Sequence, residues 1–256
     1  MTSGKKARWQ RRTPAPPPVR STGGRKASPK VLAIGAGLVA LAAVAVVLAV
    51  VLSNGGSSNP TTTNASTLPD AGTVAQMFSG IPQHGTALGV PTAPVTMVEY
   101  IDLQCPFCRD FELNVLPKIL HDVRTGELLI QARPIAFIGQ DSRRGRDAAL
   151  AAAAQNRFFE FAQLLYLNQG TENTGWLNDS IISSAFASIR GLDVQAAQNA
   201  RSSSAVKAQE ARFDRQAVAD KLSGTPLVLV GKTGGRLTEV DNTVEAISAA
   251  IDRALG

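Results

Sequence analysis

The sequence predicts an α/β domain with a block of helices inserted into it, preceded by one transmembrane helix. Three observations carry that prediction. Residues 31–52 form a run of 22 residues without a polar side chain. From about residue 85 the pattern alternates as β-α-β, a helical block, then β-β-α. The chain's only two cysteines, Cys105 and Cys108, stand three positions apart where an apolar strand gives way to a helix.

The amino-terminal elements come first. The chain of 256 residues has a formal charge of +6, but residues 1–30 hold nine Lys/Arg and no acid. The remaining residues carry 17 bases against 20 acids, so the excess positive charge belongs to a Pro-rich tail, and no basic patch argues for nucleic acid. As a helix, the 31–52 run is about 33 Å long at ~1.5 Å per residue, enough to cross a hydrocarbon core of ~30 Å. A cleavable signal peptide has a shorter apolar region followed by a small-residue cleavage site, so the run reads as an uncleaved anchor. Nine positive charges precede it and the first charge after it is Asp70, which keeps residues 1–30 in the cytoplasm and places the chain after residue 52 outside. Residues 53–84 read as a flexible linker. Within it, SNGGSSNPTTTNASTLPD (53–70) is polar and nearly uncharged, a tether with a reach of roughly 20–25 Å.

Residues 85–256 supply the folded elements. VTMVEYIDL (95–103) is β-branched and apolar enough for a buried strand, and 105–123 follow with helical spacing, with Pro106 in the first turn and Pro117 as a kink. GELLIQARPIAFI contains a second strand. Between about 142 and 222 the chain is Ala-rich, and Phe158, Phe159, Phe161, Leu164, Leu165, Ile181, Ile182, Phe186 and Ile189 recur at helical intervals, as in several packed helices. PLVLVGK and GRLTEV then read as a two-strand unit and TVEAISAAIDRALG as a closing helix.

A C-x-x-C motif serves zinc sites and disulfide exchange alike. Cys105, Cys108 and His121 echo half of a zinc finger, but the second His three to five residues later is missing. A purely structural disulfide between these two positions closes a very small loop and gains little chain entropy. Two inert reduced cysteines are unusual in an extracytoplasmic domain. Exchange chemistry needs one thiolate that attacks and a second thiol that resolves the mixed disulfide. Cys105 falls at a helix amino terminus, where unpaired N–H groups and the macrodipole favour negative charge, so it is the expected nucleophile; Cys108, one turn in, is the resolving thiol. Glu99 has two readings from pattern alone, a strand-end residue facing solvent or a buried acid, because the alternation around it is not clean. His84 and His121 receive no role.

LGVPTAPVTMVEYIDLQCPFCRDFE and GTPLVLVGK, flanking a helical insert, resemble the entry segment and the Gly-Thr-Pro loop of the DsbA-like thiol:disulfide oxidoreductases, in particular the membrane-anchored Gram-positive and actinobacterial type. The resemblance covers roughly residues 85–255 and implies a thioredoxin fold with an inserted helical domain. It implies the same roles for Cys105 and Cys108. It also makes Glu99 the buried acid that relays protons to Cys108, and makes Thr225-Pro226 a cis-proline loop facing the disulfide. Pro106, Phe107, Thr225 and Pro226 become the client-binding positions. Phe107 departs from the His of the Gram-negative enzymes and removes one donor that could stabilise a thiolate; Arg109 is either a compensating cation or a solvated helix residue.

The function so implied is extracytoplasmic oxidation of cysteines in exported client proteins, with recycling by a quinone-linked membrane partner of the DsbB or vitamin-K-epoxide-reductase type. No metal or organic cofactor is expected. A disulfide reductase or isomerase is the alternative within enzymes. A redox-silent thioredoxin-fold module that binds peptides is the alternative outside them.

Overall fold

The computed structural model describes residues 66–256. The basic tail, the 31–52 anchor and the first part of the 53–70 tether lie outside the described residues. Among the described residues no helix is long and apolar enough to cross a membrane.

The fold is organised around one strand. All seven residues of β3 (Val95–Ile101) are buried, which accounts for the unclear alternation, since a strand covered on both faces has no solvent side. β4 (Leu128–Pro134) lies parallel to it on one side and β5 (Leu227–Lys232) antiparallel on the other. A short hairpin, β1 (Gln83–His84) and β2 (Ala87–Leu88), pairs onto β4, and β6 (Thr238–Val240) onto β5. The sheet order is β1-β2-β4-β3-β5-β6.

Successive residues of a strand point to opposite faces. Val95, Met97 and Ile101 therefore enter the main core, with Glu99 in the same register, while Val98 and Tyr100 enter a smaller cluster with Ile135, Ala217, Leu227 and Leu229. Burial of each large apolar side chain in these clusters is worth roughly 1.5–3 kcal/mol.

The β3–β4 connection holds α2 (Pro106–Asn114) and α3 (Leu116–Thr125). The expected single helix with a kink is two helices separated at Val115. Pro117 has no N–H for the carbonyl of Leu113, and its ring crowds that carbonyl, so the ladder is interrupted. β3 also ends earlier than the apolar run 95–103, because Asp102 opens a turn closed by the Cys105 N–H on the Asp102 carbonyl (3.0 Å).

Between β4 and β5 lie α4 (Gln140–Ala153), α5 (Phe158–Leu167), α6 (Asp179–Ser188), α7 (Val194–Ala200) and α8 (Ser204–Ala219). Ala148, Ala149, Ala151 and Ala152 of α4 are buried and, being small, permit close helix approach, while Phe161 and Phe186 stack with centroids 4.8 Å apart. α9 (Val244–Leu255) closes the chain against β5, capped by the Thr243 hydroxyl.

Reading 53–84 as a linker is corrected over its second half. α1 (Ala71–Met77) lies within that stretch, and Val74, Phe78 and Ile81 are buried in the main core. The Phe78 ring meets Phe159 at 5.9 Å, and the Leu68 N–H donates to Ser188 Oγ at 2.7 Å. The polar composition concealed three apolar residues spaced to share one face.

Candidate active site

The end of β3 delivers the redox pair. Cys105 occupies the N-cap of α2 in an extended conformation (φ −70°, ψ 121°), and Pro106 takes the first helical position, where the missing N–H costs nothing. Cys108 follows one turn later. Both cysteines are free thiols; Cys105 is 5% exposed and Cys108 fully buried. The Thr225-Pro226 peptide bond is cis, and the Thr225 carbonyl lies 3.3 Å from Cys105 Sγ, so the loop before β5 faces the nucleophile across the sheet end. Phe107, at 73% exposure, projects beside the pair.

The two sulfurs are electrostatically unequal. The Cys105 thiol is pulled down to about 6, chiefly by the Cys108 thiol hydrogen-bonding to its sulfur, with help from the Thr225 side chain and the backbone at Cys108 and Phe107, and against the effect of burial. The Thr225 carbonyl works the other way: it only accepts, and therefore favours the protonated thiol. Cys108 is pushed well above the usual range, first by burial and then by its neighbour Cys105. The Asp102 N–H donates to Cys108 Sγ at 3.4 Å.

Glu99 is the buried acid and not a solvent-facing strand end. It is 0% exposed, neither carboxyl oxygen has a protein hydrogen-bond partner, and burial lifts it to about 8. Glu112, one turn beyond Cys108 on α2, is also buried and is driven up by burial and by the charge of Glu99. Tyr166 is held well above its ordinary range by burial first and then by the fields of Cys108, Glu112, Asp102 and Glu99. Arg109 is an exposed helix residue, as one of its two readings had it, and its Nε donates to the Tyr166 carbonyl at 2.9 Å, tying α2 to the end of α5. His84 and His121 are exposed.

Several residues missed by sequence reasoning hold the redox turn. The buried Asp102 carboxylate accepts from the backbone N–H groups of Gln104 (2.9 Å), Phe137 (2.8 Å) and Ile138 (2.9 Å). Its carbonyl accepts from the Tyr166 hydroxyl at 3.2 Å. Gln104 bonds to Ser142 and to the backbone N–H of Asn173, and Gln169 Nε2 donates to the carbonyls of Leu103 (3.0 Å) and Cys105 (3.2 Å). The spacing of Asp102 before Cys105 was visible as a turn signal; the long-range partners were not.

Comparison with known proteins agrees with the resemblance carried by the two motifs. A family model described as Thioredoxin matches residues 83–253. "Probable disulfide bond formation protein D" of Bacillus cereus is 29% identical over 173 residues, covering 66% of this chain and 78% of that protein. The crystal structure of oxidised BdbD from Bacillus subtilis superposes with a TM-score of 0.60 at 20% identity, covering 68% of this chain and 97% of that one. A thioredoxin-like oxidoreductase from Silicibacter pomeroyi superposes with a TM-score of 0.55 at 25% identity, over 71% of this chain and 96% of its own. With two thirds of its length matched by that model, and with its sequence likeness falling on disulfide bond formation proteins, the chain belongs to the thioredoxin family.

Proposed function

We propose that the protein is a membrane-anchored thiol:disulfide oxidoreductase that introduces disulfides into exported proteins. One observation carries the reading: a sulfur at a helix amino terminus, drawn down to about 6, beside a buried sulfur driven upward. In the oxidised enzyme a client thiolate attacks Cys105, the Cys105–Cys108 bond breaks, and Cys108 leaves and takes up a proton. A second client thiolate then attacks the client sulfur of the mixed disulfide and expels Cys105 as a thiolate. Two client thiols become one disulfide, and the enzyme gains the two electrons. Stabilising the Cys105 thiolate favours the reduced enzyme and makes Cys105 a better leaving group, which favours donation of the disulfide.

Glu99 serves the proton balance of Cys108, since a buried carboxyl at about 8 holds a proton at neutral pH and can release it to the departing thiolate. Pro106, Phe107, Thr225 and Pro226 border the reactive sulfur and receive the client. The 31–52 run anchors the domain with residues 1–30 in the cytoplasm, and a DsbB-like or vitamin-K-epoxide-reductase-like membrane partner reoxidises Cys105 and Cys108. The test is the redox state of the pair in growing cells, read by alkylation and gel shift. A mainly oxidised pair supports an oxidase, a mainly reduced pair supports the reductase or isomerase alternative, and thiols that never exchange support a redox-silent peptide-binding module.

A further inference from the structure

When a client thiolate bonds to Cys105 Sγ, the electron pair of the Cys105–Cys108 bond passes to Cys108 Sγ, which departs as a thiolate. Cys108 is fully buried, so this charge forms where water does not reach it. The carboxyl oxygens of Glu99 have no hydrogen-bond partner in the protein, the Cys108 sulfur included, so the proton is not yet in place when the bond breaks. A charge that develops in a buried site needs a donor already aimed at it.

Among the described residues one backbone N–H reaches Cys108 Sγ, that of Asp102, at 3.4 Å. β3 ends at Ile101, so this N–H is the first beyond the strand. Five hydrogen bonds hold the residue that carries it. The buried carboxylate accepts from the N–H groups of Gln104 (2.9 Å), Phe137 (2.8 Å) and Ile138 (2.9 Å), and the carbonyl accepts from the Cys105 N–H (3.0 Å) and the Tyr166 hydroxyl (3.2 Å). With side chain and carbonyl both pinned, the N–H cannot turn away from the sulfur without breaking several of these bonds, and it needs little reorganisation when charge appears. Burial and the Cys105 sulfur oppose a charge on Cys108; the Asp102 N–H and then the Thr225 side chain favour it.

We infer that the backbone N–H of Asp102 is the donor that receives the departing Cys108 thiolate, and that the Asp102 carboxylate is the positioning group that fixes this N–H on the sulfur. The inference rests on the oxidoreductase reading. The N–H holds the electron pair on Cys108 Sγ until the proton arrives and the thiol forms; the client sulfur and Cys105 remain joined, and no further oxidant is needed. In the second step Cys105 is expelled instead, and the donor takes no part. The two steps therefore respond differently to loss of the clamp, whereas a general loosening of the redox turn slows both.

The experiment reads the two steps separately in the full chain in detergent, with dithiothreitol as the nucleophile in both. The first is the rate at which dithiothreitol opens the Cys105–Cys108 disulfide, with Cys108 leaving. The second is the rate at which it clears a 2-mercaptoethanol mixed disulfide from Cys105 in a Cys108→Ala background. Asp102→Asn should slow the first step about tenfold, as loss of a donor aimed at a developing charge does, and the second less than about twofold. Tyr166→Phe, which removes one hold on the Asp102 carbonyl, should slow the first step about two- to threefold and spare the second. Equal slowing of both steps, or no slowing of the first, overturns the proposal and leaves the oxidoreductase reading standing. If Asp102→Asn does not fold, Tyr166→Phe decides by the same criterion. Failure of the wild-type protein to exchange with dithiothreitol overturns that reading and this proposal with it.

Discussion

The stability of the reduced protein should depend on pH in a way that the oxidised protein's does not. The perturbation is proton removal from Cys105, whose folded-state value of about 6 lies below the ~8.5 of an unfolded thiol. A depressed value means that the contribution is fully present above the unfolded value and is lost as pH falls through the folded one. Linkage with these two values gives about 1.4 kcal/mol at pH 7 and less than about 0.1 kcal/mol at pH 5. Solvent screening at the rim of the fold trims the pH 7 figure to about 1 kcal/mol. Cys108, raised by burial, remains a thiol in both folded and unfolded chains over this range and adds nothing. In the oxidised protein neither sulfur titrates. The disulfide closes only a four-residue loop, which still favours the oxidised form by about 2 kcal/mol in the chain-entropy account. The sign of the gap between the two forms at one pH is therefore a poor test, and its slope with pH is a good one. Buried carboxyls such as Glu99 largely cancel in the subtraction because both forms contain them. Calorimetry of the oxidised and reduced full chain in detergent should show the melting temperature of the reduced form gaining about 2–4 °C on the oxidised form between pH 5 and 7. A gap that stays constant, or that moves the other way, would refute the assignment of a stabilised thiolate to Cys105.

Three further outcomes follow from the same structure. Glu99→Leu should stabilise the protein at pH 7 by on the order of 3 kcal/mol, because a carboxyl raised from about 4.3 to about 8 withdraws stability progressively as pH rises between those values. Denaturant titrations at pH 4 and 7 check this, and an equal effect at both would assign the change to packing alone. Gln169→Ala should cost roughly 1–2 kcal/mol, since it removes the donor to the Leu103 and Cys105 carbonyls, and a melting temperature equal to that of the wild type would contradict this. Protease added to intact cells should digest the chain beyond residue 52 and spare residues 1–30; release of a shortened soluble protein would contradict the anchor.

The redox pair was legible because its signal is local: two cysteines at helical spacing, a proline at the first helical position, and an apolar strand before them. The Thr225-Pro226 loop was legible only through its resemblance to a family, since nothing in an isolated Thr-Pro pair brings it to within 3.3 Å of a sulfur that is 120 residues away. The orientation of Glu99 was ambiguous for a physical reason. β3 is buried on both faces, so the period that would have assigned the side chain to one face is absent. Asp102, Glu112 and Gln169 escaped notice because their importance arises from long-range contacts between the segment that follows β3 and either α5 or the loops after β4 and α5. α1 was read as tether because Val74, Phe78 and Ile81 are sparse among small and polar residues, and a composition argument weighs the majority.

The central claim is that Cys105 exchanges with clients and Cys108 resolves. It is tested most directly by expressing Cys108→Ala and Cys105→Ala forms of the full chain in the native cell envelope, quenching with acid, and comparing the disulfide-linked adducts on non-reducing gels. Cys108→Ala should accumulate mixed disulfides with client proteins through Cys105, because the internal thiol that competes for the bond is gone. Cys105→Ala, left with a fully buried thiol whose proton is held tightly, should accumulate few. Equal trapping by the two variants, or trapping through Cys108 alone, would contradict the account.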